Sequence, residues 1–191
     1  MYHSKQLTTN TWKDFEELFQ KHKGVRGGCW CTYHQLASSE YNKLSREERK
    51  EYHRKRVEEG VATGLVLYLD KTPIGWCQFG RGDAFEQLNR NQAYQKLEED
   101  KQATADWRIT CIFVDKDYRK SGLSSLILSK TMEMIRDLGG GMVEAFPFDL
   151  KGSDKPNYNG SVSMFQREGF EKVARLGKNI ELMRKNINGT S

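Results

Sequence analysis

With 191 residues, 37% of them hydrophobic and 30% charged, the chain has the size and composition of one packed domain spanning residues 1–191, and a wholly disordered polypeptide is excluded. The net charge of +5 fits an anionic ligand, but interleaved acids in the densest charged run, Arg46 to Glu59, argue against a nucleic-acid surface. No apolar run approaches the roughly 18 residues of a membrane span, and the start Met-Tyr-His-Ser-Lys lacks an apolar signal stretch, so a cytoplasmic protein without a membrane partner is expected.

Residues 2–8 read as a short first strand. Asn10 or Thr11 then caps a helix to about His22, with Trp12, Phe15, Leu18 and Phe19 on one face. The Gly24-to-Gly28 stretch breaks it, and the thiol- and aromatic-rich segment after it gives no readable period. Ser45 with Glu48 forms a capping-box pattern for a charged helix to about Glu59. Thr63 to Leu69 and Ile74 to Phe79 form a hairpin around Asp70-Lys-Thr-Pro73. Residues 80–105 read as a helix near Asp83 to Arg90 followed by a loop.

Trp107 to Val114 is apolar almost throughout after Arg108, the pattern of a strand buried on both faces. A helix follows from about Gly122 to Leu138, with Leu123, Leu126, Ile127, Lys130 and Met134 near one face. Met142 to Phe146 makes the next strand, and Ser161 to Glu168 a short helix stopped by Gly169. Strands near Glu171 to Arg175 and Ile180 to Arg184 close the chain. The order is mixed α/β, with an early hairpin and a late strand–helix–strand crossover.

The junction from Val114 to Ser125 carries the clearest chemistry. A tight strand-to-helix turn leaves amides unpaired at the positive end of a helix dipole, which favours a phosphate. Gly122 lets the backbone approach an anion, Arg119 and Lys120 add charge, and Ser121, Ser124 and Ser125 add hydroxyls. An ordinary basic strand–helix connection is the other reading of the same residues. A Walker loop is excluded because no Gly-Lys-Ser/Thr ends the turn, and a dinucleotide fingerprint lacks two of its three glycines.

This segment resembles motif A of the GNAT N-acyltransferases, whose core is Arg/Gln-x-x-Gly-x-Gly/Ala. Arg119 and Gly122 match it, and Ser124 stands at the third position. Ser161-Val-Ser-Met-Phe-Gln-Arg-Glu-Gly-Phe170 resembles the family's motif B. Gly28-Cys-Trp-Cys, Gly75-Trp-Cys-Gln, Glu144-Ala-Phe-Pro and Tyr158-Asn-Gly are similar to segments of one branch of that family. The resemblance implies a mostly antiparallel twisted sheet with one splayed parallel strand pair and flanking helices. It also implies acetyl-coenzyme A as cosubstrate, held by Ile112, Phe113, Val114, Arg119, Lys120, Ser121, Gly122, Leu123, Ser124, Ser125 and Asn159, and direct attack by a small-molecule or peptide amine in a ternary complex. A homodimer is among the assemblies expected. The alternative is a non-catalytic sensor of acyl-coenzyme A.

The proton-transfer residues depart from the family pattern. Thr110 and Cys111 stand where a strand carboxylate is usual, and Phe165 stands where motif B often has an acidic tyrosine. Glu144 is the candidate base, with pairing to Arg108 an equally good reading, and Tyr158 is the candidate acid. Asp149 and Glu86 are weaker carboxylates. Cys29, Cys31, Cys77 and Cys111 read as free thiols; the one-residue gap between Cys29 and Cys31, with His34 nearby, is a poor zinc spacing, so no metal is expected. His22, His34 and His53 read as structural or surface residues, and Trp30, Trp76 and Trp107 as core before acceptor wall.

Overall fold

A computed structural model describes residues 1–100, 105–149 and 157–190. Seven strands form one sheet in the order β1-β2-β3-β4-β5-β7-β6: β1 Tyr2–Gln6, β2 Leu65–Leu69, β3 Thr72–Arg81, β4 Trp107–Val114, β5 Gly140–Ala145, β6 Glu171–Arg175 and β7 Glu181–Asn188. Every neighbouring pair is antiparallel except β4 with β5, which the crossover helix α6 (Leu123–Asp137) makes parallel. The remaining helices are α1 Trp12–Lys21, α2 Ser38–Tyr41, α3 Arg46–Glu58, α4 Glu86–Asn89, α5 Gln92–Asp100 and α7 Val162–Arg167.

The two faces of the sheet are covered differently because β4 alternates its side chains. Ile112 and Val114 pack with Leu123, Ile127 and Ile135 of α6. Phe113 points the other way, into an aromatic cluster with Phe15, Phe19, Trp30 and Trp76. The expected face of α1 is therefore the buried one, with all four of its named residues in the core. Gly75 lets α6 approach the sheet, since a Cβ there would stand 2.6 Å from Ile127 Cδ1.

Local signals behave as their chemistry demands at α3. The Ser45 side chain accepts from the Glu48 amide at 3.2 Å, and Glu48 accepts from the Ser45 amide at 2.7 Å. Two expectations are corrected. On α6 the core line is Leu123, Ile127, Thr131 and Ile135, rotated away from Lys130, which pairs with Glu133 at 2.7 Å. Thr131 can join that line because its hydroxyl donates to the Ile127 carbonyl one turn back, at 2.8 Å. The expected loop after Arg90 contains α5, capped by Asn91, whose side chain accepts from the Tyr94 amide at 3.1 Å. Of the segments expected to wall the acceptor, Cys29 to Tyr41, residues 80–105 and Phe146 to Gly160, residues 101–104 and 150–156 lie outside the described residues.

Candidate active site

The parallel pair sets the geometry. β4 and β5 are in register only at Trp107/Val143, Arg108/Glu144 and Ile109/Ala145, after which β4 runs on to Val114 without β5 beside it. A bulge near Thr110, where the register with β3 shifts, bends β4 at this fork. Beyond it the Ile112 amide donates to the Tyr158 carbonyl at 2.6 Å, so the loop before α7 bridges part of the gap. Alternation turns the Phe113 amide back toward Trp76 on β3 and the Val114 amide into the open side. Of the backbone groups expected to hold a ligand at Ile112, Phe113 and Val114, Val114 alone presents its amide there; the Ile112 amide is already used and that of Phe113 belongs to the β3 side.

At the far end of β4 the strand becomes the cradle. The Asp115 side chain accepts from the Asp117 amide and opens a short 3-10 turn, Lys116–Tyr118. Lys21, at the end of α1, reaches Asp115 at 2.6 Å and Asp117 at 2.7 Å, fastening the turn to the first helix. Burial works to raise the pKa of Asp115, but the hydrogen bond from Lys21 and its neighbours outweigh it, and the carboxyl sits below its usual range. Arg119 Nε donates to the Val114 carbonyl at 3.2 Å. Gly122, at φ 77°, is the N-cap of α6 and brings no side chain to cap the first amides of the helix. A Cβ built at Gly122 meets nothing within 4 Å. Open space, a bare helix start and two flanking cations, Arg119 and Lys120, suit a diphosphate.

Glu144 belongs to the fork. Register places it beside Arg108 on β4 and Arg184 on β7. Its carboxylate accepts from Arg108 Nε at 3.1 Å, from Arg184 Nη2 at 2.6 Å and from the Tyr94 hydroxyl at 2.9 Å, with none of its surface exposed. Arg108, itself 1% exposed, also donates to the Gly82 carbonyl and the Asn89 side chain. The pairing with Arg108 is thus present, and the wall of the central cavity does not include Glu144. Glu86 pairs with Arg90, and Asp149 lies 3.8 Å from Arg175.

That cavity, of about 30 Å³, opens beside the fork on the aromatic side of the sheet, between Thr110, Cys111, Tyr158 and the segment 25–34. A wider chamber of about 120 Å³ adjoins it, walled by Leu88, Phe146, Phe148, Leu176 and Ile180. Arg26, Tyr33, His34 and Asn159 line both. Asn159 also donates to the Phe146 carbonyl at 3.3 Å. Burial, with the Arg26 charge acting in the same sense, pushes His34 down to about 4, so its imidazole is neutral at pH 7, and its buried Nδ1 has no protein partner among the described residues. Burial raises the thiols of Cys29 and Cys31, which makes both poor nucleophiles. Trp76 donates to Cys31 Sγ at 3.1 Å and is a core residue, as is Trp107.

The wall segment has an uncommon backbone. Lys23, Gly24, Val25, Arg26, Gly27 and Gly28 all have φ between 46° and 85°, and Trp30 and Cys31 follow at 47° and 54°. Left-handed φ in a non-glycine residue costs roughly 1–3 kcal/mol, most in a β-branched one such as Val25, and persists only where surrounding contacts hold it. Here the Val25 carbonyl accepts from both Gly28 and Cys29, the Gly24 carbonyl accepts from Trp30, and His53 bonds the Trp30 carbonyl at 2.7 Å. Sequence periodicity carries no trace of this left-handed run; the glycines at 24, 27 and 28 are its only local signal.

Comparison with known proteins agrees with this architecture. The family model described as "Acetyltransferase (GNAT) family" matches residues 30–170. No curated protein sequence matches significantly. Among solved structures, an acetyltransferase from Thermus thermophilus superposes with a TM-score of 0.56 at 13% identity, over 98% of this chain and 97% of that one. PaiA N-acetyltransferase from Thermoplasma acidophilum, solved with coenzyme A, gives 0.55 at 11% identity over 98% and 99%. The ribosomal-protein-S18-alanine N-acetyltransferase from Escherichia coli gives 0.53 at 10% identity over 100% and 97%. At such identities these structures speak for the fold, while the family match covers most of the chain, from the segment at the cavity through both motifs: the chain belongs to the acetyltransferase (GNAT) family.

Proposed function

We propose that the protein transfers an acetyl group from acetyl-coenzyme A to a primary amine by direct attack in a ternary complex. The observation that carries this reading is the fork itself: a parallel pair that opens after Ile109/Ala145, with a bare helix start at Gly122 at one end and a cavity at the other. The cradle residues fit a diphosphate, Arg119 and Lys120 facing its charge and the first amides of α6 its oxygens. The pantetheine arm would lie along the open side of β4, with its thioester toward Thr110 and Cys111. The coenzyme A bound by the Thermoplasma acidophilum relative supports the same cosubstrate here.

In this reading the amine enters from the cavity and attacks the thioester carbonyl. The Val114 amide is the backbone donor on the open side and offers a hydrogen bond to the pantetheine arm, up the strand from the thioester. Proton removal from the amine falls to water or to a neutral group in the wall, because Glu144 is engaged with two guanidiniums. Tyr158 stands in the cavity wall beside Cys111 and supplies a hydroxyl to protonate the departing thiolate in place of Phe165, which is buried and has none.

Steady-state thiol release from acetyl-coenzyme A across an amine panel tests this. Turnover with at least one primary amine is expected, and Tyr158→Phe should lower kcat by about 100-fold with KM for the coenzyme unchanged. Coenzyme binding with no turnover on any amine would favour a sensor role, and an unchanged kcat would take the acid role from Tyr158.

A further inference from the structure

The junction of the two cavities carries one full charge. Neither wall includes an aspartate or glutamate among the described residues, and Arg26 is the cation in both. No carboxylate pairs with Arg26 among the described residues; its guanidinium lies over the Tyr158 ring, 6.0 Å from the centroid. Its backbone is held at φ 46° in the left-handed run, so its placement at the junction comes from a segment fixed on both sides by the Val25 and Gly24 carbonyls. On the inner side are Thr110 and Cys111 at the fork; on the outer side is the apolar chamber.

Taking the transferase reading as its basis, we propose that the acceptor is a small amine bearing its own carboxylate and an apolar side group, that is, an amino-acid-like molecule, and that Arg26 is the specificity residue that binds the carboxylate. A wall whose described residues include a cation and no acid disfavours a polyamine, whose further ammonium groups would meet a like charge there. A planar guanidinium beside an aromatic face suits a carboxylate in two-point contact. With the carboxylate at Arg26, the side group fits the outer chamber, where Leu88, Phe146, Phe148, Leu176 and Ile180 form the apolar part of the wall beside Asn91. The amine is then left pointing inward, toward Thr110 and Cys111. Asn159 and the unpartnered Nδ1 of His34 are at hand for the remaining polar atoms.

The test is calorimetry in two stages. Coenzyme A is titrated first; failure to bind it counts against the transferase reading itself. The coenzyme-loaded protein is then titrated with phenylalanine and leucine, with their decarboxylated counterparts phenethylamine and isoamylamine, with spermidine, and with a short peptide amide bearing a free N-terminus. The amino acids are expected to bind about 10- to 100-fold more tightly than their counterparts. Arg26→Gln should erase that preference and leave coenzyme A and phenethylamine binding unchanged, and Arg26→Lys should keep part of it. Equal binding of acids and amines, tighter binding of spermidine or the peptide, no binding of either set, or a preference that survives in Arg26→Gln would each overturn the proposal.

Discussion

Glutamate in place of Gly122 is expected to weaken coenzyme A binding by more than about 100-fold, the loss of two or more hydrogen bonds to a charged group at roughly 1.5–3 kcal/mol each. The side chain would project into the open space at the start of α6, where a Cβ meets nothing within 4 Å. Its carboxylate would take the first-turn amides for itself and repel a diphosphate. Left-handed φ at this position adds about 1–2 kcal/mol of backbone strain for any side chain with a Cβ, a cost the helix as a whole can absorb. Gly122→Asn separates the two effects, since asparagine tolerates that conformation and carries no charge; about a tenfold loss is expected. Calorimetry with coenzyme A, alongside a melting curve to establish folding, reads both. A folded Gly122→Glu protein with unchanged affinity would place the diphosphate elsewhere.

The second large effect is at Glu144. Removing its charge in Glu144→Gln takes away the buried carboxylate that Arg108 on β4 and Arg184 on β7 share. Breaking a buried pair by removing one partner costs about 3–5 kcal/mol, so the melting midpoint should fall by about 10 °C. Because the three residues lie in register on β4, β5 and β7, the damage falls one step before Ile109/Ala145, the last pair before the fork opens. Below that midpoint the pH dependence of kcat should keep its shape. A variant of undiminished stability with an altered pH profile would make Glu144 the general base.

These two residues show what is legible in the sequence and what is not. Gly122 is readable because everything that defines the cradle is local: a strand ending at Val114, a turn, and a helix start within eleven residues of it. The same holds for the Ser45–Glu48 box and for the apolar stripe of α1, whose partners lie within one or two helical turns. Glu144 can be narrowed only to base or ion-pair partner. Its fate depends on two registers, β4 with β5 and β5 with β7, that join residues 36 and 40 positions away. Tyr94, its third partner, escapes a sequence reading because α5 has a modest apolar face and a cap at Asn91 that looks like loop. The left-handed run at 23–28 is unreadable for a different reason: it is held against the intrinsic preference of Val25 and Arg26 by contacts from Trp30 and beyond. It is also the wall of the cavity, so the acceptor side of the site is the part least visible in the sequence.

A crystal structure with coenzyme A bound tests the fork and the cradle together. The diphosphate is expected within hydrogen-bond reach of the first amides of α6, beside Arg119 and Lys120. The pantetheine arm is expected along the open side of β4, bonded to Val114, with the thiol ending near Tyr158 and Cys111. A coenzyme bound away from Gly122, or a β4–β5 pair with no ligand between its diverging ends, would contradict that arrangement.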